Sequence, residues 1–276
     1  MLNYTNLTFN NGVTIPQFGL GVFRSEVGEE TAQAVQWALE AGYRHIDTAM
    51  AYRNERDVAE GIKRSGVKRE EIFITTKCAT GDIENHKALE CFERSLDNLQ
   101  TDYVDLYLLH WPVPNYEEAY EVITKLYEEK KIRAIGVSNF QVHHLENLER
   151  LGYMTPAANQ IELHPAFQNR EVKAFCDEKG IIVEAWSPLG GKDFLLLDNP
   201  VLIEIGKKYG KSAAQVIIRW HLQIGNVVIP KSVHQNRIIQ NSEVFDFVLS
   251  DEDMAAIRAL DTNKRAYWDP ERFGTK

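Results

Sequence analysis

Short apolar runs recur along the chain at Phe18–Gly21, Arg44–Asp47, Ile72–Lys77, Tyr103–His110, Ala134–Ser138, Asn159–Leu163, Ile181–Trp186 and Val227–Ile229. Runs this rich in Val, Ile and Leu predict strands buried on both faces, as in a parallel sheet. Between them lie segments with helical apolar spacing: Thr31 to Ala41, Leu89 to Leu99, Ala119 to Glu129 and Val172 to Lys179. Gly42, Gly66 and Gly180 stand where helices should stop. Ahead of the repeat, Leu7–Phe9 and Val13–Ile15 flank Asn10-Asn11-Gly12, whose Asn-Gly step suits the positive φ angles of a tight hairpin turn. Behind it, Ser250-Asp251-Glu252-Asp253 reads as a helix start.

Alternation alone fits either a doubly wound open sheet or a closed barrel. The count of eight β-α units, with a length near the ~250 residues usual for a (β/α)8 TIM barrel, favours the barrel. No Pro/Gly/Ser-rich linker interrupts the chain, so a single domain over residues 1–276 is expected.

With 276 residues, 44% hydrophobic and 26% charged, the chain is no disordered segment. Its net charge of −9 argues against nucleic acid or an anionic membrane as the main partner, though a local basic pocket for phosphate stays open. No apolar run approaches the ~18–20 residues that span a bilayer. Met1 to Asn10 has neither the basic start nor the apolar core of a signal peptide. Cys78, Cys91 and Cys176 are an odd number with no C-x-x-C pair, which fits free thiols in a cytoplasmic protein and excludes a cysteine zinc site. Neighbouring side chains on a helix point about 100° apart, so His143 and His144 are not expected to chelate, and no metal is expected.

Barrel chemistry sits at the carboxyl ends of strands. Polar residues there are Asp47 with Tyr52 beyond it, Lys77, His110, Ser138, Asn139, Gln160, Glu162, Glu184, Ser187, Lys231 and Ser232. A lysine ending the apolar run Ile72–Lys77 is costly unless paired, and Asp47 one strand over is the natural partner. A cation ~4 Å from Tyr52, at an effective dielectric of ~20, is worth ~4 kcal/mol, about three pK units. That pull would bring the phenol toward neutrality and make it a general acid. A plain Asp-Lys salt bridge with Tyr52 merely packing remains the alternative. His110, capping its strand, is either a satisfied structural histidine or a donor that polarises a substrate oxygen. Gly19-Leu20-Gly21 begins a dinucleotide fingerprint, but Arg24 stands at its third glycine and the fold context is wrong. Ile229-Pro230-Lys231-Ser232 with Arg237, at the last strand and next helix, is the better phosphate site.

These residues carry a resemblance. Gly42-Tyr43-Arg44-His45-Ile46-Asp47-Thr48-Ala49, with Tyr52 and Glu55, resembles the first signature of the aldo-keto reductases. Ile229–Ser232 with Arg237 and Gln240-Asn241 resembles their cofactor signature, and Asp105–Pro112, Ile135–Phe140, Asn159–Pro165 and Trp186–Gly190 also match. The resemblance covers almost the whole chain. It implies a hairpin, residues 5–16, closing the barrel bottom, and a helix and tail over residues 250–276. It implies NADPH-dependent reduction of aldehydes and ketones, with a tetrad of Asp47, Tyr52, Lys77 and His110. Tyr52 would protonate the carbonyl oxygen, Lys77 would lower its pKa, Asp47 would hold Lys77, and His110 would orient the carbonyl. Ser138, Asn139 and Gln160 would meet the carboxamide of the nicotinamide, whose ring would stack on Trp186. Ser187, Leu189 and Gly190 would line the pyrophosphate, with Gly21, Val22 and Asp47 also at the cofactor. Lys231, Ser232 and Arg237 would take the adenosine 2′-phosphate and Asn241 the adenine. Phe23, Tyr52, His110 and Trp111 would face a small-molecule carbonyl substrate, in a monomer. Three sites depart from the family: Ala59 stands where members usually have Gly or Ser, Cys78-Ala79 where many have an apolar residue and then Trp, and Phe23 where many have Trp.

Two rivals are a barrel glycosidase using Glu162 and Glu184, which needs carboxylates ~5–10 Å apart, and a catalytically weak, cofactor-binding regulatory subunit.

Overall fold

The computed structural model describes residues 5–191 and 194–273. The expected span of 1–276 and tail of 250–276 therefore run at their ends onto residues outside the described ones. Strands β1 (Asn6–Thr8) and β2 (Thr14–Pro16) pair antiparallel with Leu7 opposite Ile15. Eight parallel strands follow: β3 (Leu20–Gly21), β4 (His45–Asp47), β5 (Phe73–Cys78), β6 (Val104–Leu109), β7 (Ile132–Ser138), β8 (Ala158–Glu162), β9 (Ile182–Trp186) and β10 (Val227–Val228). Each pairs with the next in chain order. The sheet closes on itself through a parallel bridge between Phe18 and Val228, with Gly19 N–H donating to Val228 O at 3.0 Å and Val228 N–H to Gln17 O at 2.9 Å. All eight expected strands are present, and the chain folds as a (β/α)8 TIM barrel.

Side chains alternate in and out of the barrel wall. Ile46, Ile74, Tyr107, Leu109, Ile135, Val137, Ile161, Val183 and Ala185 belong to the cluster between strands and helices. Phe73, Leu106, Leu108, Ala134, Ala158, Val227 and Ile229 form a second cluster inside the barrel, joined by Phe9 and Ile15 of the hairpin. The hairpin thus plugs the amino-end bottom. Space inside is tight: a Cβ on Gly19 would lie 2.6 Å from the His45 ring, and one on Gly21 2.8 Å from Ile229 O.

The hairpin turn corrects one expectation. Only Gly12, at φ 86°, is left-handed; Asn11 is not. Gly12 N–H donates to Phe9 O and Phe9 N–H to Val13 O, both 2.9 Å, so the loop is the three residues Asn10-Asn11-Gly12. Gly66 and Gly180, both at φ 68°, end helices 55–65 and 170–179 as expected. Between β9 and β10 the chain makes two helices, Pro200–Tyr209 and Ala213–Gln223, each capped by its own residue, Asn199 and Ser212. The tail helix Asp251–Arg258 starts at Ser250, which exchanges capping bonds with Asp253. No described helix is long and apolar enough to cross a membrane.

Ile15 is fully buried in the bottom plug, and deleting most of such a side chain costs about 2–5 kcal/mol. The variant Ile15→Ala should lower the unfolding free energy from urea titration by that much, read by circular dichroism. A change under ~0.5 kcal/mol would show that the hairpin does not seal the interior core.

Candidate active site

A cleft of about 620 Å3 opens at the carboxyl ends of the strands. Alternation builds its floor: Asp47, Lys77, Gln160 and Trp186 share the inward face with the apolar residues below them, and His110 follows directly on β6.

Lys77 is fully buried. Its Nζ donates to both Asp47 oxygens at 2.8 and 2.7 Å, to Thr48 O at 2.8 Å, and to the Tyr52 hydroxyl at 3.4 Å. Gln160 Nε2 donates to Asp47 Oδ2 at 2.7 Å. The Tyr52 ring meets the His110 ring edge-on at 5.7 Å between centroids. The four expected residues therefore converge.

Burial alone would push the Lys77 ammonium down, but the adjoining Asp47 carboxylate outweighs it and holds it above its ordinary value. Burial pushes the Asp47 carboxyl up, against the pull of Lys77 and Gln160. For Tyr52 the expected drift toward neutrality is overturned: burial pushes the phenol up to about 12, and Lys77 offsets only part of that. The main reason is burial itself, and Lys77 is not a bare cation: the charge of its partner Asp47 raises the phenol further. Burial, helped by Lys77, pushes His110 down to about 3, so its imidazole is neutral at physiological pH.

Of the expected cofactor and substrate residues, Gly21, Phe23, Trp111, Ser138, Asn139, Ser187, Leu189 and Gly190 also line the cleft. Asn139, left-handed at φ 65°, links the wall, donating to His110 O and Ser138 Oγ at 3.0 Å and accepting from Trp186 Nε1 at 2.9 Å. A second cavity of about 510 Å3 shares Leu189 and Lys231 with the first and is lined by Ser232, Arg237 and Asn241. Lys231 does not end a strand as expected. It lies in the loop after β10, because only two residues there pair, and Arg237 and Asn241 sit on helix Gln235–Ser242. Val22 lines neither cavity; its side chain is buried, and its backbone is taken up by Asp47 O and Asn54 Nδ2.

Sequence reasoning missed Tyr267, Trp268 and Phe273, which close the cleft from the tail, and Arg24, Ala51 and Thr80 on its rim. Three aromatic residues in an otherwise polar tail were the available signal. The rival carboxylates Glu162 and Glu184 are fully buried and outside the cleft lining. Burial and the nearby Asp47 charge push Glu184 up to about 8. The His143 and His144 rings do not point apart as expected but lie 3.9 Å apart between centroids, tilted at 41°, with Glu271 near. His144 Nδ1 is already engaged, accepting from Gln141 N–H at 3.1 Å.

A closed barrel with a buried lysine-aspartate pair, a tyrosine and a neutral histidine at its carboxyl-end mouth defines a class of carbonyl oxidoreductase. The chain belongs to the aldo/keto reductase family, whose model matches residues 17–262. It is 51% identical to a 9,11-endoperoxide prostaglandin H2 reductase of Trypanosoma cruzi, over 98% of this chain and 96% of that one. It is also 51% identical to a glyoxal reductase of Bacillus subtilis, over 96% and 95% of the two. A solved aldo-keto reductase of Bombyx mori in complex with NADP superposes with a TM-score of 0.91 at 34% identity, covering 99% of this chain and 98% of that one. Family and fold together make the protein an NADP-dependent oxidoreductase.

His45, His110 and His221 are each held at about 3 by burial. For a base with a depressed folded value, stability is present above the unfolded value of ~6.5 and is lost as pH falls below it. Glu184, held at about 8, runs the opposite way, already carrying its proton in the fold. The unfolded chain still gains more protons, each worth up to ~1.4 kcal/mol per pH unit. Urea midpoints should therefore fall between pH 7.5 and 5.5; a rise would refute the neutral histidines.

Proposed function

We propose that the protein reduces aldehyde or ketone carbonyls to alcohols with NADPH, using Tyr52 as general acid. The observation that carries this reading is a phenol and a neutral imidazole meeting edge-on at the cleft wall, with the clamped Lys77 ammonium buried behind the phenol hydroxyl. NADPH, when bound, supplies the hydride. Tyr52 gives its hydroxyl proton to the carbonyl oxygen, and a phenol at about 12 keeps that proton throughout the physiological range. Lys77 stabilises the phenolate left behind, and Asp47 and Gln160 hold Lys77 in place. His110 offers a neutral N–H to the same oxygen and orients it.

The paired cavities and their donor set fit a dinucleotide. Ser138, Asn139 and Gln160 would hold the carboxamide, Trp186 the ring, and Gly21 and Asp47 the same end. Ser187, Leu189 and Gly190 would hold the pyrophosphate, Lys231, Ser232 and Arg237 the 2′-phosphate, and Asn241 the adenine. On the substrate side, Phe23 and Trp111 flank the catalytic pair. The small side chains Ala51 and Thr80 line the same cleft, which favours a range reaching from the dicarbonyl of the glyoxal reductase relative to ring-bearing aldehydes. An intact tetrad weighs against a regulatory subunit, and a protonated, enclosed Glu184 against a glycosidase. We further read the chain as one barrel domain, its two apolar clusters being the two faces of one wall. We also read it as a monomer of a reducing cytoplasm, where its three buried thiols stay free.

Tyr52→Phe keeps the ring and removes the proton donor. Its kcat should fall about 10²–10⁴-fold with NADPH affinity nearly unchanged; retention of most of kcat sinks the role. For the cofactor, two cations and a hydroxyl face the second cavity, and one retained charge-assisted hydrogen bond favours NADPH over NADH by about ten- to a hundredfold. Dissociation constants from quenching of tryptophan fluorescence should show that preference, smaller in Arg237→Ala and at high salt. Equal affinity for both cofactors in the unaltered protein would remove the phosphate site.

A further inference from the structure

The tail beyond helix Asp251–Arg258 crosses the mouth of the barrel as a strap. Phe273 stacks on Trp111 with centroids 4.0 Å apart and planes at 4°. Trp268 meets both rings edge-on, and Tyr267 meets Trp186 at 5.4 Å. Three of the aromatic side chains that wall the cleft thus come from a segment without helix or strand. Its outer ties are a Thr262 bond to Ala166 O at 2.9 Å and Arg265, which lies over the Phe167 ring and donates to Gln141 Oε1 at 3.2 Å.

One tie goes deeper. Ala266 N–H donates at 2.6 Å to Oε1 of Glu162, which is fully buried at the end of β8. The same oxygen lies 3.2 Å from His164 Nε2. Phe167 N–H donates to His164 Nδ1 at 3.2 Å, so the ring proton sits on Nε2 and also points at Glu162. The other carboxylate oxygen, Oε2, is enclosed and has no hydrogen-bond partner among the described residues.

A half-satisfied buried carboxylate is costly, and neither of its donors belongs to the sheet. The group does nothing for the strand that carries it; it serves the segments above. We propose that Glu162 is a positioning residue for the substrate wall, fixing the strap at Ala266 and so setting Tyr267 and Trp268 against Trp186 and Trp111. Glu162 stands two residues beyond Gln160, which holds Asp47. One strand therefore fixes both the lysine-aspartate pair and the wall opposite it, keeping the two in register. Glu162 touches no reacting atom; it acts through the strap.

The kinetic half of the test rests on the reductase reading, and the exchange half does not. In Glu162→Ala, and in Ala266→Pro, which removes the same bond from the strap side and leaves the barrel intact, amide hydrogen exchange over residues 259–273 should speed up about ten- to a hundredfold. The KM for 4-nitrobenzaldehyde should rise about tenfold, while kcat and the KM for methylglyoxal, too small to reach the strap, stay within about twofold. Glu162→Gln keeps an acceptor oxygen and should restore most of the exchange protection and the KM. If Glu162→Ala does not fold, Ala266→Pro carries the test alone. Unchanged exchange in Ala266→Pro, or an equal loss of kcat on both aldehydes, overturns the proposal. Should neither aldehyde support NADPH oxidation by the unaltered protein, the reductase reading fails and the exchange result still decides the latch.

Discussion

An ammonium group inside a barrel is a demand on everything around it. Desolvating Lys77 costs several kcal/mol, and leaving it with a partner missing costs about 3–5 kcal/mol. The structure answers with both oxygens of Asp47, the carbonyl of Thr48 and the Tyr52 hydroxyl. Asp47 is in turn held by Gln160, three strands further round the wall than Lys77. The pair spans the barrel and makes its upper layer a single network rather than a set of separate strand ends. Tyr52 and His110 are set by burial and tuned by the pair: burial raises the phenol, with Asp47 adding to that against the pull of Lys77, and burial, helped by Lys77, keeps the imidazole uncharged.

Such a network is tolerable only above an apolar base. Inward positions of the lower strands are Phe73, Leu106, Ala134, Ala158 and Val227, and Phe9 and Ile15 of the hairpin close the space beneath them. Water is thereby kept from the underside of the charged layer, where it would compete for Lys77 and loosen Asp47. Polar residues enter the alternation only from the middle of the barrel upward, so the gradient along the axis gives the cleft one working end.

Much of this was legible in the sequence because it is local. Each strand is a run of apolar residues, and a lysine at the end of such a run announces its need of Asp47. The details that escaped are those set by meetings across the fold. The Asn-Gly step suggested positive φ angles at the hairpin turn, but only Gly12 adopts one, because the closing pair Phe9 and Val13 leaves a three-residue loop. Lys231 looked like a strand end, but only Val227 and Val228 pair with β9, and on the other side Val228 meets Phe18 through a single bridge. The direction of the Tyr52 shift was not legible because its largest cause is burial, set by what packs around the ring in the folded chain, with the Asp47 charge adding to it. Tyr267, Trp268 and Phe273 carry no periodic signal, and only their encounter with Trp111 and Trp186 gives them a place.

The middle layer explains how the upper one stays balanced. His45 and Glu184 face each other at 3.6 Å, fully buried, in the layer beneath Asp47. Were both charged they would form a second ion pair, and were Glu184 alone charged it would compete with Asp47 for the field of Lys77. Burial prevents both: His45 is held at about 3 and Glu184 at about 8, so at neutral pH each is predominantly uncharged. The Asp47 charge contributes to the protonation of Glu184, so the upper pair suppresses the charge that would disturb it. Lys77 therefore keeps one counter-ion, and its ammonium remains directed at Asp47 and Tyr52 rather than drawn down the barrel axis. A titratable residue can sit directly beneath a catalytic ion pair without diverting it, provided that its own desolvation keeps it neutral.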